Sequence, residues 1–189
     1  MPTPEIRVLS EADAAEFWAV RLRGLREDPE SFGSAYEESV DTPIEEVARR
    51  LKGSADSFVL GAFAPHLVGT VGCHRKEGMK LRHKATIWGM YVTPEWRGRA
   101  LGRALLTAAI ERARQVAGLE QLLLQVVIDN AAACALYQSL GFTVYGIEVR
   151  CLRVGDRYYD EYMMLLEQGN SNKPALMHPS QMPSPEVPR

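Results

Sequence analysis

Long apolar runs are missing from this chain of 189 residues. No window holds about eighteen uninterrupted apolar residues, the length a membrane-crossing helix needs, so no membrane partner is expected. The first residues, Met1 to Glu5, lack the basic, apolar and small-residue order of a secretory signal, and a cytoplasmic location is the expectation. Cysteine is scarce. Cys73, Cys134 and Cys151 are odd in number and have no metal-like spacing, which excludes a disulfide framework and fits buried thiols in a reducing compartment. A dominant charge is missing too: 22 Lys+Arg against 24 Asp+Glu give a net charge of −2 and a pI near 6.1. That balance gives no general reason to expect a nucleic acid or an anionic surface as partner. No internal repeat is visible. What the chain does have is 46% hydrophobic content, enough for one core of ordinary size in one domain.

The most informative stretch is Met90 to Ala104. A β-branched and aromatic run from Thr86 to Val92 stops at Thr93 and Pro94, and an Arg/Gly-rich turn then opens a long amphipathic pattern. The reading is strand, tight loop, helix. The first backbone N–H groups of a helix lack internal partners and together carry roughly half a positive charge, so small residues there let a phosphate come close. Arg97, Arg99 and Arg103 surround that point. The spacing is neither a Walker loop nor a complete dinucleotide fingerprint.

Taken in order, the pattern predicts a strand over 5–9 and a helix over 11–26 capped by Ser10. A loop follows that carries Phe32, Tyr36, Glu37 and Glu38, then a helix from Thr42 and Pro43 to Gly53. Strands over 57–63 and 67–76 flank a short turn at Ala64 to His66, and a third strand covers 84–92. After the helix over 102–117, residues 121–128 read apolar on both faces, as a strand inside a sheet and parallel to its predecessor does. A helix from Asp129 or Asn130 to Leu140 and a hairpin of strands over 143–152 and 157–166 complete the pattern. The domain is expected to span 1–167. The proline-rich, aperiodic segment 168–189 reads as a disordered tail.

Residues 97–102, Arg-Gly-Arg-Ala-Leu-Gly, resemble the R/Q-x-x-G-x-G/A signature of the GNAT superfamily of N-acetyltransferases, with Ala100 in place of one glycine. A second motif of that family, N-x-x-A-x-x-L-Y-x-x-L-G-F, is matched by Asn130, Ala133, Leu136, Tyr137, Leu140, Gly141 and Phe142. The element order also resembles that fold across roughly residues 5–166. The resemblance implies an α/β GNAT fold, a mixed central sheet flanked by helices. It also implies an acetyl-CoA-dependent enzyme that transfers acetyl directly to a primary amine, without a metal, with a homodimer as a family-based expectation. By resemblance, the backbone of Met90, Tyr91 and Val92 meets the pantetheine arm, while Arg97 and the run Gly98, Arg99, Ala100, Leu101, Gly102 and Arg103 bind the pyrophosphate. Asn130 contacts pantetheine and Tyr137 faces the sulfur. Asn130 and Tyr137 lie two helical turns apart, about 10 Å along one face.

In several relatives a glutamate precedes the asparagine as the base, and here Gln125 stands there, which cannot do that work. Glu37 and Glu38 are the first expectations for the base, Glu38 being the one assigned, with Asp160, Glu161 and His83 behind them. Phe32, Tyr36, Trp88, Tyr145, Tyr158 and Tyr159 are candidates for an acceptor cleft, which slightly favours a small organic amine. The alternatives are a protein N-terminal or lysine acetyltransferase, or a non-catalytic acyl-CoA sensor, to which Ala100 and Gln125 lend weight. Ala100 itself is expected to have ordinary helical geometry, because Leu101, Gly102 and Arg103 continue directly into the helix.

Overall fold

The computed structural model of the protein describes residues 4–169, so all but the first two residues of the segment read as a tail lie outside the described residues. Seven strands form one sheet in the order β1-β2-β3-β4-β5-β7-β6. They are β1 (Glu5–Val8), β2 (Ser57–Phe63), β3 (Leu67–Arg75), β4 (Lys84–Val92), β5 (Gln121–Val127), β6 (Thr143–Val154) and β7 (Arg157–Glu167). Only β4 and β5 pair in parallel; every other neighbour is antiparallel. The sheet is therefore mixed, as expected, and its single parallel contact requires a crossover. That crossover is α4 (Leu101–Arg114).

Helices cover both faces. On one, α4 and α5 (Ala131–Ser139) pack over a core that includes Leu105, Leu106, Ala109, Leu122, Tyr137 and Phe142. A Cβ on Gly69 would come within 2.9 Å of Leu105 Cδ1, so a glycine in β3 lets α4 approach closely. On the other face, α1 (Ala14–Glu27) and α3 (Ile44–Leu51) cover Leu9, Val59, Leu67 and Tyr91. The ring of Tyr91 lies against Gly24 of α1, where a Cβ would meet Cδ2 at 3.0 Å.

Two details differ from the sequence reading. The first turn of the N-terminal helix is a 3-10 turn, Glu11–Asp13. Asp13 dominates there, accepting from the Ser10 N–H at 2.7 Å and the Ser10 hydroxyl at 2.9 Å. It also pairs with Arg7 at 2.6 Å, which holds its carboxyl far below the ordinary range. The second difference is α2 (Tyr36–Ser39), one helical turn where a loop was expected. Ser39 is its buried residue and bonds back to the Ala35 carbonyl at 2.8 Å, which leaves Glu37 and Glu38 in solvent.

Candidate active site

Strands β4 and β5 share a ladder only over Lys84, Ala85 and Thr86, although β4 continues to Val92 and β5 to Val127. Each keeps its other neighbour along the rest of its length, so the two strands splay apart. The cause is a bulge. Thr70 pairs with Tyr91 and Gly72 with Trp88, which sets Gly89 and Met90 against the single residue Val71. Gly89 has φ +59, the left-handed geometry that such a bulge requires of its first residue. The Thr70 hydroxyl donates to its carbonyl at 3.0 Å and pins the kink. The resulting cleft of about 840 Å³ runs between β4 and β5, lined by Met90, Tyr91 and Val92 on one wall and Gln125, Val126 and Val127 on the other. This volume suits a drug-sized ligand.

At the end of the cleft next to α4, the loop turns through two left-handed residues, Gly98 at φ +72 and Ala100 at φ +58. Positive φ at alternate positions turns backbone N–H groups inward into an anion-binding concavity, continuous with the N-terminus of a fourteen-residue helix. The expectation of helical geometry at Ala100 is therefore wrong. Ala100 is the residue before the helix, with ψ 10, and it accepts a strain of about 1–2 kcal/mol that glycine escapes. Ala100→Gly should stabilise the protein by about 0.5–1 kcal/mol, because the relieved strain exceeds the extra freedom glycine has when unfolded. Denaturant unfolding checks this; a loss of stability would show that the methyl group packs. Gly102 has a different reason to be small. A Cβ there would lie 3.2 Å from Met90 Cε and 3.5 Å from Leu136 Cδ2, so it lets α4 start close to β4 and α5.

The three arginines separate. Arg97 pairs with Asp28, donates to the Val92 carbonyl at 2.9 Å and lies 5.6 Å from the Tyr91 ring centre. One guanidinium with those partners ties the end of β4 to the segment after α1, so Arg97, which also lines the cleft, braces the loop that was expected to meet a phosphate. Arg99 stacks on Trp96 at 5.0 Å and does not line the cleft. Arg103 does line it, with Nη2 donating to Ser139 Oγ at 2.6 Å.

Helix α5 supplies the other half. Asn130 caps it, its Oδ1 accepting from the Ala133 N–H at 3.1 Å. Both Asn130 and Tyr137 line the cleft. Tyr137 is only 7% exposed, packed edge-on to Phe142 with ring centres 6.0 Å apart. Burial pushes its hydroxyl up to about 12, so it is a donor at any physiological pH.

The model of the Acetyltransferase (GNAT) family matches residues 20–142, which include the bulged strand, the phosphate loop and α5. The chain belongs to the GNAT family. Among curated relatives, mycothiol acetyltransferase of Kocuria rhizophila is 44% identical over 63 residues, 33% of this chain and 20% of that protein. The ribosomal protein bS18 alanine N-acetyltransferase of Escherichia coli is 37% identical over 83 residues, 44% of this chain and 55% of that protein. The chain thus spans about a fifth to about half of the length of the curated relatives it matches. Among solved structures, a GNAT acetyltransferase from Streptococcus pneumoniae has a TM-score of 0.78 at 26% identity, covering 88% of this chain and 99% of that one. A Salmonella typhimurium structure with its cofactor acetyl-CoA shares the fold at a TM-score of 0.74 and 21% identity, covering 93% and 100%.

Glu30, Ser31, Phe32, Gln125 and Tyr159 also line the cleft. Glu38, expected as the base, is not brought to it: the single turn of α2 buries Ser39 and points Glu38 into solvent. Glu161 is buried and accepts from Cys151 Sγ at 3.0 Å, Asp160 accepts the Arg150 N–H at 2.7 Å, and His83 lies beyond the N-terminal end of β4. Gln125 donates to Glu148 Oε2 at 2.9 Å. Three carboxylates do line the cleft, and two are committed, Asp28 to Arg97 and Asp129 to Arg157 at 2.8 Å. Glu30 is the third. It makes no hydrogen bond or ion pair among the described residues, and it stands on the 3-10 turn Pro29–Ser31 that packs against β5 and β6. Sequence reasoning chose Glu38 from this same segment, where the residue that lines the cleft is Glu30. Pro29, which starts a turn immediately after the helix, was the available signal. Of the aromatic candidates, Phe32 and Tyr159 line the cleft, while Tyr36, Trp88, Tyr145 and Tyr158 do not.

Proposed function

We propose that the protein is an acetyl-CoA-dependent N-acetyltransferase that moves acetyl directly onto a primary amine, with a small-molecule acceptor ahead of a protein one. The observation that carries this reading is the meeting, in one cleft, of a bulged β4 edge, a left-handed anion nest at the start of α4, and the hydroxyl of the largely buried Tyr137. The nest and Arg103 hold the pyrophosphate. The open edge of β4 from Met90 to Val92 receives the pantetheine amides as an added strand would, and Asn130 borders the same arm. In this reading the thioester lies where the strands part, between the face covered by α4 and α5 and the face covered by α1.

The chemistry follows from where charge develops. As the amine nitrogen attacks, negative charge grows on the carbonyl oxygen, where an N–H of β4 stabilises it, and then on the departing sulfur, where Tyr137 donates. A primary amine of pKa about 10.4 is mostly protonated at neutral pH, so a base must first take a proton. Glu30 is the carboxylate we assign to that step. Release of free thiol from acetyl-CoA, measured against a panel of primary amines, tests the reading. Tight acetyl-CoA binding with no transfer to any amine would favour the sensor module instead.

A further inference from the structure

Arg21 is the cation of α1 that faces the sheet, and it has no anion among the described residues. Its guanidinium lies over the Phe32 ring, 4.5 Å from the ring centre, and Nη1 would be 4.0 Å from a Cβ placed on Gly89. It therefore borders the open space beside the side-chain-free bulge residue, whose neighbour Met90 lines the cleft as Phe32 does; Arg21 itself is not one of the cleft-lining residues. Nη1 is fully buried without a hydrogen-bond partner. Arg7, Arg23, Arg75, Arg97 and Arg157 each face a carboxylate. No such compensation acts on Arg21: burial alone lowers its pKa to about 10. Two more donors on the α1 side of the sheet are also buried without an acceptor among the described residues. These are the indole N–H groups of Trp18, one turn earlier on α1, and of Trp88, the residue before Gly89. Both side chains pack on the α1 side of the sheet.

A buried cation and two buried N–H donors with no acceptor in the fold are destabilising as they stand. Such groups persist where a ligand completes them, and the missing partner must be an oxyanion, because all three groups donate. We infer that Arg21, on the same face of the sheet as Trp18 and Trp88, is the receptor for an acidic group on the acceptor, which makes the acceptor a free amino acid or a close analogue, with its amine a few bonds from a carboxylate. The inference rests on the acetyltransferase reading and deepens it. A protein N-terminus is disfavoured, because its nearest carbonyl is an amide and leaves the guanidinium uncompensated. The geometry is consistent with the direction of approach. The acceptor enters from the α1 side, its acidic group stops at Arg21 behind the bulge, and its nitrogen is left at the gap between β4 and β5 where Glu30 and the thioester meet.

The test uses the full-length protein, the twenty free amino acids, their C-terminal amides and short peptides, and aminophosphonic analogues. Thiol release should favour the best free amino acid over its own amide by about 10- to 100-fold in kcat/KM, the worth of a charge-assisted bond. A phosphonate accepted as well as the carboxylate would place the specificity in the oxyanion as such. In Arg21→Met the acid-over-amide ratio should fall toward one, and Arg21→Lys should restore part of it. The melting temperature supplies an independent readout. Removing an unpaired buried charge should raise it by about 2–4 °C in Arg21→Met, whereas loss of a purely structural arginine would lower it. Amides or peptides that match the free amino acid would overturn the inference, as would an Arg21→Met protein that melts lower with its acid-over-amide ratio intact. If no amine is acetylated at all, the same panel is read by thermal shift with coenzyme A present. Stabilisation by amino acids but not by amides would then keep the anion site while the transferase reading falls.

Discussion

Replacing Tyr137 with phenylalanine should lower kcat by roughly 10- to 1000-fold and leave acetyl-CoA affinity within about threefold. The hydroxyl borders the cleft yet makes no hydrogen bond among the described residues, so its removal breaks nothing in the resting protein. Loss of a hydroxyl that borders the cleft and has no partner among the described residues should leave the melting temperature nearly unchanged, which separates the chemical effect from a structural one. The pH dependence follows from burial, which pushes the hydroxyl up to about 12. A thiol near 8.5 is then more than a thousandfold the stronger acid, so complete proton transfer from Tyr137 to the departing sulfur is uphill. Tyr137 acts by hydrogen-bonding the thiolate as its charge develops, and solvent protonates it later. Because the folded pKa is raised, the tyrosine stays protonated until pH approaches about 12. The loss in Tyr137→Phe should therefore be the same from pH 6 to pH 9. Rates with the best amine across that range, with calorimetric titration of acetyl-CoA, measure both quantities. An unchanged kcat throughout would remove Tyr137 from the mechanism.

Much of the fold was legible because local signals agreed with each other. The apolar run of β5 after an amphipathic helix announced a parallel neighbour, and the observed β4 and β5 pairing is that contact. Strand ends fell within a few residues because Pro94, Gly118 and Gly141 punctuate the pattern. What stayed hidden depends on contacts between residues distant in sequence. Arg97 looked like a phosphate ligand in a string of arginines; only the fold brings Asp28 and the Val92 carbonyl to it. Ala100 looked helical because Leu101, Gly102 and Arg103 run directly into the helix, yet the turn that aims N–H groups at an anion needs a left-handed residue just before α4. The splay between β4 and β5 was invisible because it depends on Gly89, whose need for positive φ shows only once β3 is paired beside it. Arg21 gave no signal at all, since a lone arginine on an amphipathic helix reads as solvated until the sheet is packed beneath it.

Glu30→Gln should reduce kcat/KM about 100-fold at pH 7 and converge on wild type near pH 10. Glutamine keeps the size and the hydrogen-bonding oxygen of glutamate and lacks only the ability to take a proton, so the comparison isolates base catalysis, whose usual worth is about 100-fold to 10000-fold. The convergence has a physical origin. Without a base the enzyme must wait for the amine to lose its proton in solution, and that fraction grows tenfold with each pH unit up to the amine pKa of about 10.4. The variant profile should therefore climb steeply where wild type is flatter. Glu30 has this role to itself because Asp28 and Asp129, the other carboxylates that line the cleft, are each held by an arginine. Asp28 also fixes where Glu30 stands: its pairing with Arg97 anchors the turn Pro29–Ser31 beside the end of β4. Glu38→Gln provides the control, since Glu38 is exposed on α2 and absent from the cleft wall, and its profile should track wild type within about twofold at every pH. An equal loss at all pH values in Glu30→Gln would make Glu30 a group that positions the ammonium ion, and proton removal would then fall to water held between Gln125 and the amine.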